Sequence, residues 1–183
     1  MNVLFIQGSA RERSYSSALC VGVASSLRPE TLRHAKLHEM YIEHCTGCGS
    51  CKDTKKCVFD DGMAKVLKMI EESDIVVFAT PLYWSGPSSI MKQAVDRLQS
   101  IWDPSGSNKK KTRAAGLICA AGSDAPVFSG TVSVFKAAAA AIDAAWAGEL
   151  LVSGTDRMTR LPDDTVEKAI RFAVALEDTY RTL

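Results

Sequence analysis

Short apolar runs alternate along the chain with longer segments whose apolar residues recur at helical spacing. The runs at residues 3–7, 75–80 and 114–121 have the length and bulk of buried parallel strands. The weaker alternation at 31–37 predicts a less buried second strand, and residues 150–152 predict a short fifth strand.

Five helices are predicted between and after these strands. The first follows the serine-rich turn 9–17 and ends before Pro29, and the second begins at Asp61 as N-cap and ends near Ser73. The third carries Pro87 in its first turn and runs to Ile101, and the alanine-rich fourth ends near Trp146. The fifth covers 163–183, with these residues predicted to face the core: Val166, Ala169, Ile170, Ala173, Val174 and Leu176. This β-α succession predicts a parallel sheet with helices on both faces.

Composition favours one domain over residues 1–183, because 183 residues with 46% hydrophobic content suffice for one sizeable core. The longest irregular stretches are 40–61, a cysteine-rich insertion, and 103–112. No apolar run reaches 18 residues and the start lacks a signal-like pattern, so we expect a cytoplasmic protein without a membrane partner. A net charge of +1 gives no reason to expect a nucleic-acid partner.

Ligands of open parallel sheets bind beyond the carboxyl ends of the strands, which directs attention to three loops. The loop after the first strand offers hydroxyls and a guanidinium that suit a phosphate at a helix N-terminus: Ser9, Arg11, Ser14, Ser16 and Ser17. It is neither a GxGxxG fingerprint nor a Walker A loop, which disfavours a dinucleotide or ATP site. The alternative is a serine-rich cap on an ordinary helix.

The loop after the clearest strand places two aromatic residues together at the same edge: Pro81, Leu82, Tyr83, Trp84, Ser85 and Gly86. A flat heteroaromatic ring is expected to stack there while backbone N–H groups meet its polar atoms. Alternatively, Tyr83 and Trp84 pack on a neighbouring helix or a partner subunit. A third loop, at Gly122 and Ser123, is small enough for a ligand to lie against its backbone.

Four of the six cysteines fall in one short segment: Cys45, Cys48, Cys51 and Cys57. Without a secretory signal, such a cluster indicates a metal or redox site rather than disulfides. The compact spacing, with Gly47 and Gly49 between the thiols, suits a [4Fe–4S] cluster better than zinc, whose CxxC pairs are usually further apart. Zinc, an oxidisable dithiol and idle thiols remain open. Cys20 and Cys119 lie in apolar runs and are expected to be inert core residues.

Together the three loops resemble those of the flavodoxin-like NAD(P)H-dependent FMN reductases. The matching pieces are GSAR with Ser16 and Ser17, the segment ESDIVVFATPLYWSGPS, and Lys92 with Asp96 and Arg97. The resemblance implies a flavodoxin-like α/β three-layer sandwich with a five-stranded parallel sheet of order 2-1-3-4-5. It also implies FMN, with its phosphate on the first loop and its ring against residues 81–86 and 122–123. Tyr15 departs from the small or amide residue usual in that loop.

The cysteine spacing is similar to that of the iron–sulfur flavoproteins, a branch of the same fold. We therefore expect an FMN-dependent oxidoreductase that passes electrons between FMN and a cluster, with the cysteines at the same carboxyl edge as FMN. NAD(P)H or a ferredoxin-like protein is the expected donor, and a homodimer or homotetramer the expected assembly. The alternatives are a metal-free NAD(P)H-dependent FMN or quinone reductase, and a non-enzymatic zinc-binding or thiol redox-sensing module.

Overall fold

The protein forms a parallel β-sheet between two layers of helices in a computed structural model that describes residues 1–103 and 113–183. Five parallel strands lie in the order β2-β1-β3-β5-β6, and β4 pairs antiparallel with the end of β3. The strands are β1 (Asn2–Gln7), β2 (Thr31–Lys36), β3 (Ile75–Tyr83), β4 (Gly86–Pro87), β5 (Arg113–Ala120) and β6 (Ala144–Val152). The flavodoxin-like order of five parallel strands is thereby confirmed.

Within residues 1–103 and 113–183, six α-helices connect or follow the strands. They are α1 (Tyr15–Leu27), α2 (Ser50–Thr54), α3 (Gly62–Glu72), α4 (Ser89–Arg97), α5 (Ser129–Ala141) and α6 (Asp163–Arg181). The short α2 lies within the cysteine segment and was not predicted. Of the predicted loop 103–112, only Asp103 lies within the described residues. The single-domain division with an insertion at about 40–61 stays a prediction.

Each face of the sheet carries its own hydrophobic core. Along β1, Leu4 and Ile6 pack against the face covered by α3, α4 and α5, while Val3 and Phe5 pack against the face covered by α1 and α6. Successive side chains of a strand point to opposite faces, so a strand buried on both sides must be apolar at every position. This explains why the run 3–6 is continuous rather than alternating.

The start of α4 differs from the prediction. Gly86 and Pro87 form β4, and the helix begins at Ser89 after Ser88, whose hydroxyl accepts the N–H of Met91 at 3.4 Å. The preceding Trp84 and Ser85 both have positive φ, at 52° and 60°, as in the two-residue turns that close β-hairpins. The prediction that Pro87 lies in the first helical turn was wrong because this hairpin takes up Gly86 and Pro87.

The end of the alanine-rich helix was also predicted too far along the chain. α5 ends at Ala141, Asp143 adopts a left-handed φ of 54°, and β6 begins at Ala144, paired with Arg113. Alanine favours helix only weakly in absolute terms, and strand pairing along β5 outweighs that preference. β6 is therefore longer than the predicted 150–152.

The inward face of α6 was predicted on the wrong side for three residues. Val166, Ile170 and Val174 are 63%, 47% and 51% exposed, whereas Phe172 is buried against the sheet. The ring of Phe172 occupies the space above Gly116, where a Cβ would lie 2.6 Å from its Cζ atom. The helix is therefore oriented with Phe172 toward the sheet. In this orientation Ala169, Ala173 and Leu176 face inward, as predicted. No helix in the described ranges is long and apolar enough to cross a membrane.

Candidate functional site: three loops at one sheet edge and a cysteine cavity

The loop after β1 forms a network of hydroxyl groups around the N-terminus of α1. Ser14 is the N-cap, and its Oγ accepts the N–H of Ser17 at 3.2 Å and lies 3.2 Å from the Oγ of Ser16 and 2.8 Å from that of Ser17. Ser9 Oγ accepts the N–H of Arg11 at 3.2 Å. The first turn of α1 contains no acidic residue, so the positive end of the helix dipole is not offset by a carboxylate there.

Arg11 itself is exposed, whereas Ser9 and Ser16 are buried. The structure thus brings Ser14, Ser16 and Ser17 together at the start of α1, whereas Ser9 and Arg11 contact each other in the loop before it. The arrangement suits a phosphate, because orphan N–H groups of a helix N-terminus and hydroxyl donors meet at one point.

The loop after β3 is a hairpin that is hydrogen-bonded to α5. Leu82 pairs with Pro87 and Tyr83 with Gly86, and the carbonyl oxygen of Ser85 accepts a 3.1 Å hydrogen bond from the hydroxyl of Thr131 on α5. Tyr83 is 48% exposed and Trp84 is fully exposed at the tip. The alternative that both aromatics pack on a neighbouring helix is therefore wrong for Trp84.

The loop at Gly122 and Ser123 is held by the segment after β6. The N–H of Gly154 donates to the carbonyl oxygen of Ser123 at 2.7 Å, and a Cβ on Gly122 would lie 2.3 Å from Oδ2 of Asp156. The hydroxyl of Tyr15 donates to the carbonyl oxygen of Met158 and so joins the first loop to the same segment. This fourth segment was missed, because nothing in the local sequence of 154–158 indicates a partner more than thirty residues away.

Two buried polar residues that sequence reasoning also missed join the first and second loops. Ser88 donates to the carbonyl oxygen of Gly8 at 2.6 Å, and the N–H of Ser88 donates to the hydroxyl of Thr80 at 3.1 Å. The available sequence signal was a threonine and a serine at a strand–helix junction. Hydroxyl groups that are buried at such a junction need a hydrogen-bond partner.

The four clustered cysteines line one cavity of about 570 Å³, together with Asp96, Gln99 and Trp102. All four thiols are free: Cys45 and Cys48 are exposed, Cys51 and Cys57 half-buried. Gly47 and Gly49 have φ of 67° and 78°, the left-handed backbone that glycine adopts at little cost, and they allow the tight wrapping expected of this segment. One water molecule occupies about 30 Å³ in the liquid, so this cavity has room for a group much larger than a single ion.

The four cysteines suit an iron–sulfur cluster in their chemistry, but their sulfur atoms are not arranged around one centre. Four thiols from one cavity are the ligands that iron–sulfur clusters require, and the cavity is large enough for a group of several atoms. Within residues 1–103 and 113–183, no three His, Cys, Asp or Glu side chains are grouped closely enough to hold a metal ion. The residues fit a cluster in chemistry and in shared location, while their sulfur atoms would have to draw together around it.

The cysteine cavity lies toward the C-terminal end of α4. It is lined by Gln99, and the thiol of Cys51 is 3.9 Å from the carbonyl oxygen of that residue. Ser88, at the other end of the helix, contacts Gly8 at the edge where the three loops meet. At 1.5 Å per residue these ends are about 16 Å apart. The cysteine cavity and the meeting point of the three loops thus lie toward opposite ends of α4, and the expectation that the cysteines and FMN share one edge stays a prediction.

The remaining two cysteines are core residues. Cys20 and Cys119 are both fully buried, and desolvation by burial raises the pKa of each thiol to about 12. A thiol with such a pKa stays protonated and unreactive at neutral pH. The predicted core position of Cys20 and Cys119 is confirmed by their burial.

Comparison with known proteins agrees with this geometry. Residues 1–154 match the family of NADPH-dependent FMN reductases. An iron-sulfur flavoprotein of Archaeoglobus fulgidus is 32% identical over 100 residues, which are 54% of this chain and 46% of that protein. An iron-sulfur flavoprotein of Methanocaldococcus jannaschii is 28% identical over 103 residues, 55% of this chain and 53% of that protein. The matches thus span about half the length of these curated relatives.

Among solved structures, RosB with a bound 8-demethyl-8-formylriboflavin-5′-phosphate intermediate is similar over the whole chain. The TM-score is 0.77 at 15% identity, covering 100% of this chain and 80% of RosB. At this identity the similarity concerns the fold, and it agrees with the strand order described above.

Proposed function

From the premise that this chain belongs to the NADPH-dependent FMN reductase family, we propose that it is an oxidoreductase that binds FMN across the three loops. The observation that carries the proposal is the hydrogen-bonded connection of these loops at one sheet edge through Ser88, Gly8, Tyr15 and Met158. A site of this kind, beyond the carboxyl ends of parallel strands, is where open α/β sheets bind their ligands.

The first loop holds the phosphate in this proposal. The hydroxyls of Ser9, Ser14, Ser16 and Ser17 and the guanidinium of Arg11 supply donors, and the dipole of α1 favours a dianion at its N-terminus. A monophosphate matches one helix N-terminus, whereas the pyrophosphate of a dinucleotide usually needs the GxGxxG turn that this loop lacks.

The second and third loops orient the ring. Residues 81–86 present backbone groups from a hairpin, and Gly122 and Ser123 allow a flat ring to approach the backbone. When bound, FMN supplies hydride or single-electron chemistry, so that no side chain of this chain need act as acid or base. The residues named here bind and orient the cofactor and exclude water on one side of it.

Cys45, Cys48, Cys51 and Cys57 are proposed to ligate a [4Fe–4S] cluster that exchanges electrons with FMN. The support is their shared cavity, their spacing and the similarity to proteins named iron-sulfur flavoproteins. NAD(P)H or a ferredoxin-like protein is the proposed donor, a homodimer or homotetramer the proposed assembly, and the cytoplasm the proposed location. Because the proposed FMN site and the cysteine cavity lie toward opposite ends of α4, contact between subunits is the proposed route that shortens their separation.

A metal-free NAD(P)H-dependent FMN or quinone reductase is the second candidate, favoured by the spacing of the sulfur atoms, since no three His, Cys, Asp or Glu side chains among the described residues are grouped closely enough to bind a metal ion. It shares the flavin site and differs only at the four cysteines. The zinc-binding or redox-sensing module without flavin has less support, because it leaves the three connected loops without a role.

The deciding experiment quantifies FMN, iron and sulfide on one anaerobically reconstituted sample and records its absorption spectrum. We expect one FMN per chain and iron with sulfide in equal amounts. Cys48→Ala should lose iron and the broad iron–sulfur absorbance while keeping FMN, and Cys119→Ala, which also removes one cysteine, should keep both. A wild-type protein with FMN but no iron leaves the metal-free reductase, and one without FMN overturns the proposal.

A further inference from the structure

Arg97, the last residue of α4, is a charged residue whose side chain is only 2% exposed. Its NH1 group donates to Oδ2 of Asp61 at 2.7 Å and to the carbonyl oxygen of Glu43 at 2.7 Å, and its NH2 group donates to Oδ1 of Asp61 at 3.3 Å. Its Cζ atom also lies 5.2 Å from the centre of the Phe59 ring. One guanidinium thus contacts three residues of the segment that contains the clustered cysteines.

These three partners lie at the two ends of that segment. Glu43 precedes Cys45, whereas Phe59 and Asp61 follow Cys57. Asp61 reinforces the closure, because its carboxylate accepts the N–H of Glu43 at 2.9 Å and the N–H of Met63 at 2.9 Å. The chain between residues 43 and 61 is therefore a loop whose ends meet at Arg97 and Asp61.

Stability alone does not explain this arrangement. Burying an ion pair costs desolvation that its attraction often only just offsets, and apolar residues of similar volume are commonly as stabilising. The N-terminus of α3 needs only a short hydroxyl or amide side chain as its cap. What a bidentate guanidinium adds is a fixed geometry between the two chain segments that it joins.

We infer that Arg97 is the positioning residue of the cysteine segment, holding both of its ends so that the four thiols face one cavity. Cys57, Phe59 and Arg97 line a common neighbouring cavity, and the Nε atom of Arg97 has no hydrogen-bond partner in the part of the chain that the structure describes. The consequence for iron rests on the function proposed above, whereas the closure of the loop does not.

The first test measures the loop without metal. Hydrogen exchange of residues 43–61 is compared in folded wild-type protein, Arg97→Lys and Arg97→Met, with Lys92→Met as matched control. Lys92 lies on the same helix but forms an exposed pair with Asp96 at 2.6 Å. We expect at least tenfold faster exchange in Arg97→Met, partial protection in Arg97→Lys, and wild-type exchange in Lys92→Met. Wild-type protection of the segment in a folded Arg97→Met protein would overturn the inference.

A further measurement needs only wild-type protein, so it can be made even if the variants do not fold. The N–H group of Glu43 donates to Asp61 across the closed loop, so we expect it to be protected from exchange in wild-type protein. Exchange of this N–H at the rate of an unstructured chain would contradict the closure.

The second test uses the reconstituted protein and reads out iron content and the midpoint potential. We expect less iron per chain in Arg97→Met, and a more negative potential for the iron that remains, because a positive charge near the cluster has been removed. Arg171→Met, which removes the cation of an exposed i,i+4 pair on α6, should match wild type in both. If wild-type protein binds no iron, the proposed cluster fails, and the exchange measurements still decide the role of Arg97. Wild-type iron content and potential in Arg97→Met would show that Arg97 does not position the thiols.

Discussion

The hydroxyl of Ser88 donates a 2.6 Å hydrogen bond to the carbonyl oxygen of Gly8. Ser88 is the N-cap of α4, and Gly8 directly follows β1 at the start of the phosphate loop. A Cβ on Gly8 would lie 2.6 Å from the Cβ of Met91, so the two chain segments approach as closely as their backbones allow. This contact sets the position of the proposed phosphate loop relative to the hairpin that precedes α4.

Replacing Ser88 by alanine is expected to lower the free energy of unfolding by about 1–3 kcal/mol. The change removes a helix N-cap and leaves the buried carbonyl oxygen of Gly8 without that donor. Urea unfolding measures the effect. Ser89→Ala, at the exposed neighbouring position, is the control and should stay within about 0.5 kcal/mol of wild type.

Combined replacement of Arg11 and Ser16 by alanine is expected to weaken FMN binding by tenfold or more. A charge-assisted hydrogen bond contributes about 1.5–3 kcal/mol, and about 1.4 kcal/mol corresponds to a factor of ten. Titration of the apoprotein with FMN, followed by flavin fluorescence, gives the dissociation constant. Ser25→Ala, near the far end of α1, removes only a bond to the carbonyl oxygen of Val21 and should bind FMN normally. Equal affinity in the double variant would place the phosphate elsewhere.

The pair of Asp61 and Arg97 makes stability depend on pH in the acid range. Burial raises the pKa of the Asp61 carboxyl, but the Arg97 guanidinium and the N–H groups of Glu43 and Met63 outweigh burial and hold the pKa below its usual range. The stabilisation is therefore complete above the ordinary carboxyl pKa of about 3.9 and is lost as the pH falls through the depressed value.

Asp61→Asn should accordingly cost about 3–5 kcal/mol at pH 7, the usual effect of removing one partner of a buried pair. The difference from wild type should stay constant down to about pH 4 and shrink below it. Urea unfolding at a series of pH values tests this. Asp164→Asn, which removes an exposed i,i+4 pair with Lys168, should change stability by less than about 1 kcal/mol. A difference that persists undiminished at the lowest pH would contradict the assignment.

Trp84 provides a test of the proposed assembly. A fully exposed indole at the tip of a hairpin is costly to leave in water and is typical of contact surfaces. Trp84→Ser is expected to weaken self-association by tenfold or more without lowering the unfolding temperature of the isolated subunit. Sedimentation equilibrium over a range of concentrations measures both proteins, with the exposed Val127→Ser as control. Wild-type protein that stays monomeric with FMN bound would exclude the homo-oligomer.

Local patterns sufficed where one physical effect dominates. The runs at 3–6 and 75–79 are apolar at every position because both faces of those strands are buried, and such runs are recognisable without any knowledge of their partners. Asp61 was recognisable as an N-cap because its carboxylate reaches the N–H of Met63 within its own turn. The serine-rich loop and the cysteine spacing were equally visible, since neither depends on the rest of the fold.

Only the tertiary structure decided features that depend on contacts between distant residues. The face of α6 turned inward is set by the space that Gly116 leaves for Phe172, and the beginning of β6 by pairing with β5. The closure of the cysteine segment depends on Arg97, and the position of the third loop depends on Asp156. Neither partner can be identified from helix periodicity or residue spacing. The sequence by itself determined the order of the elements and the chemistry of the loops, because propensity and burial act locally. Packing decided which of those loops meet, because that depends on how helices and sheet fill space together.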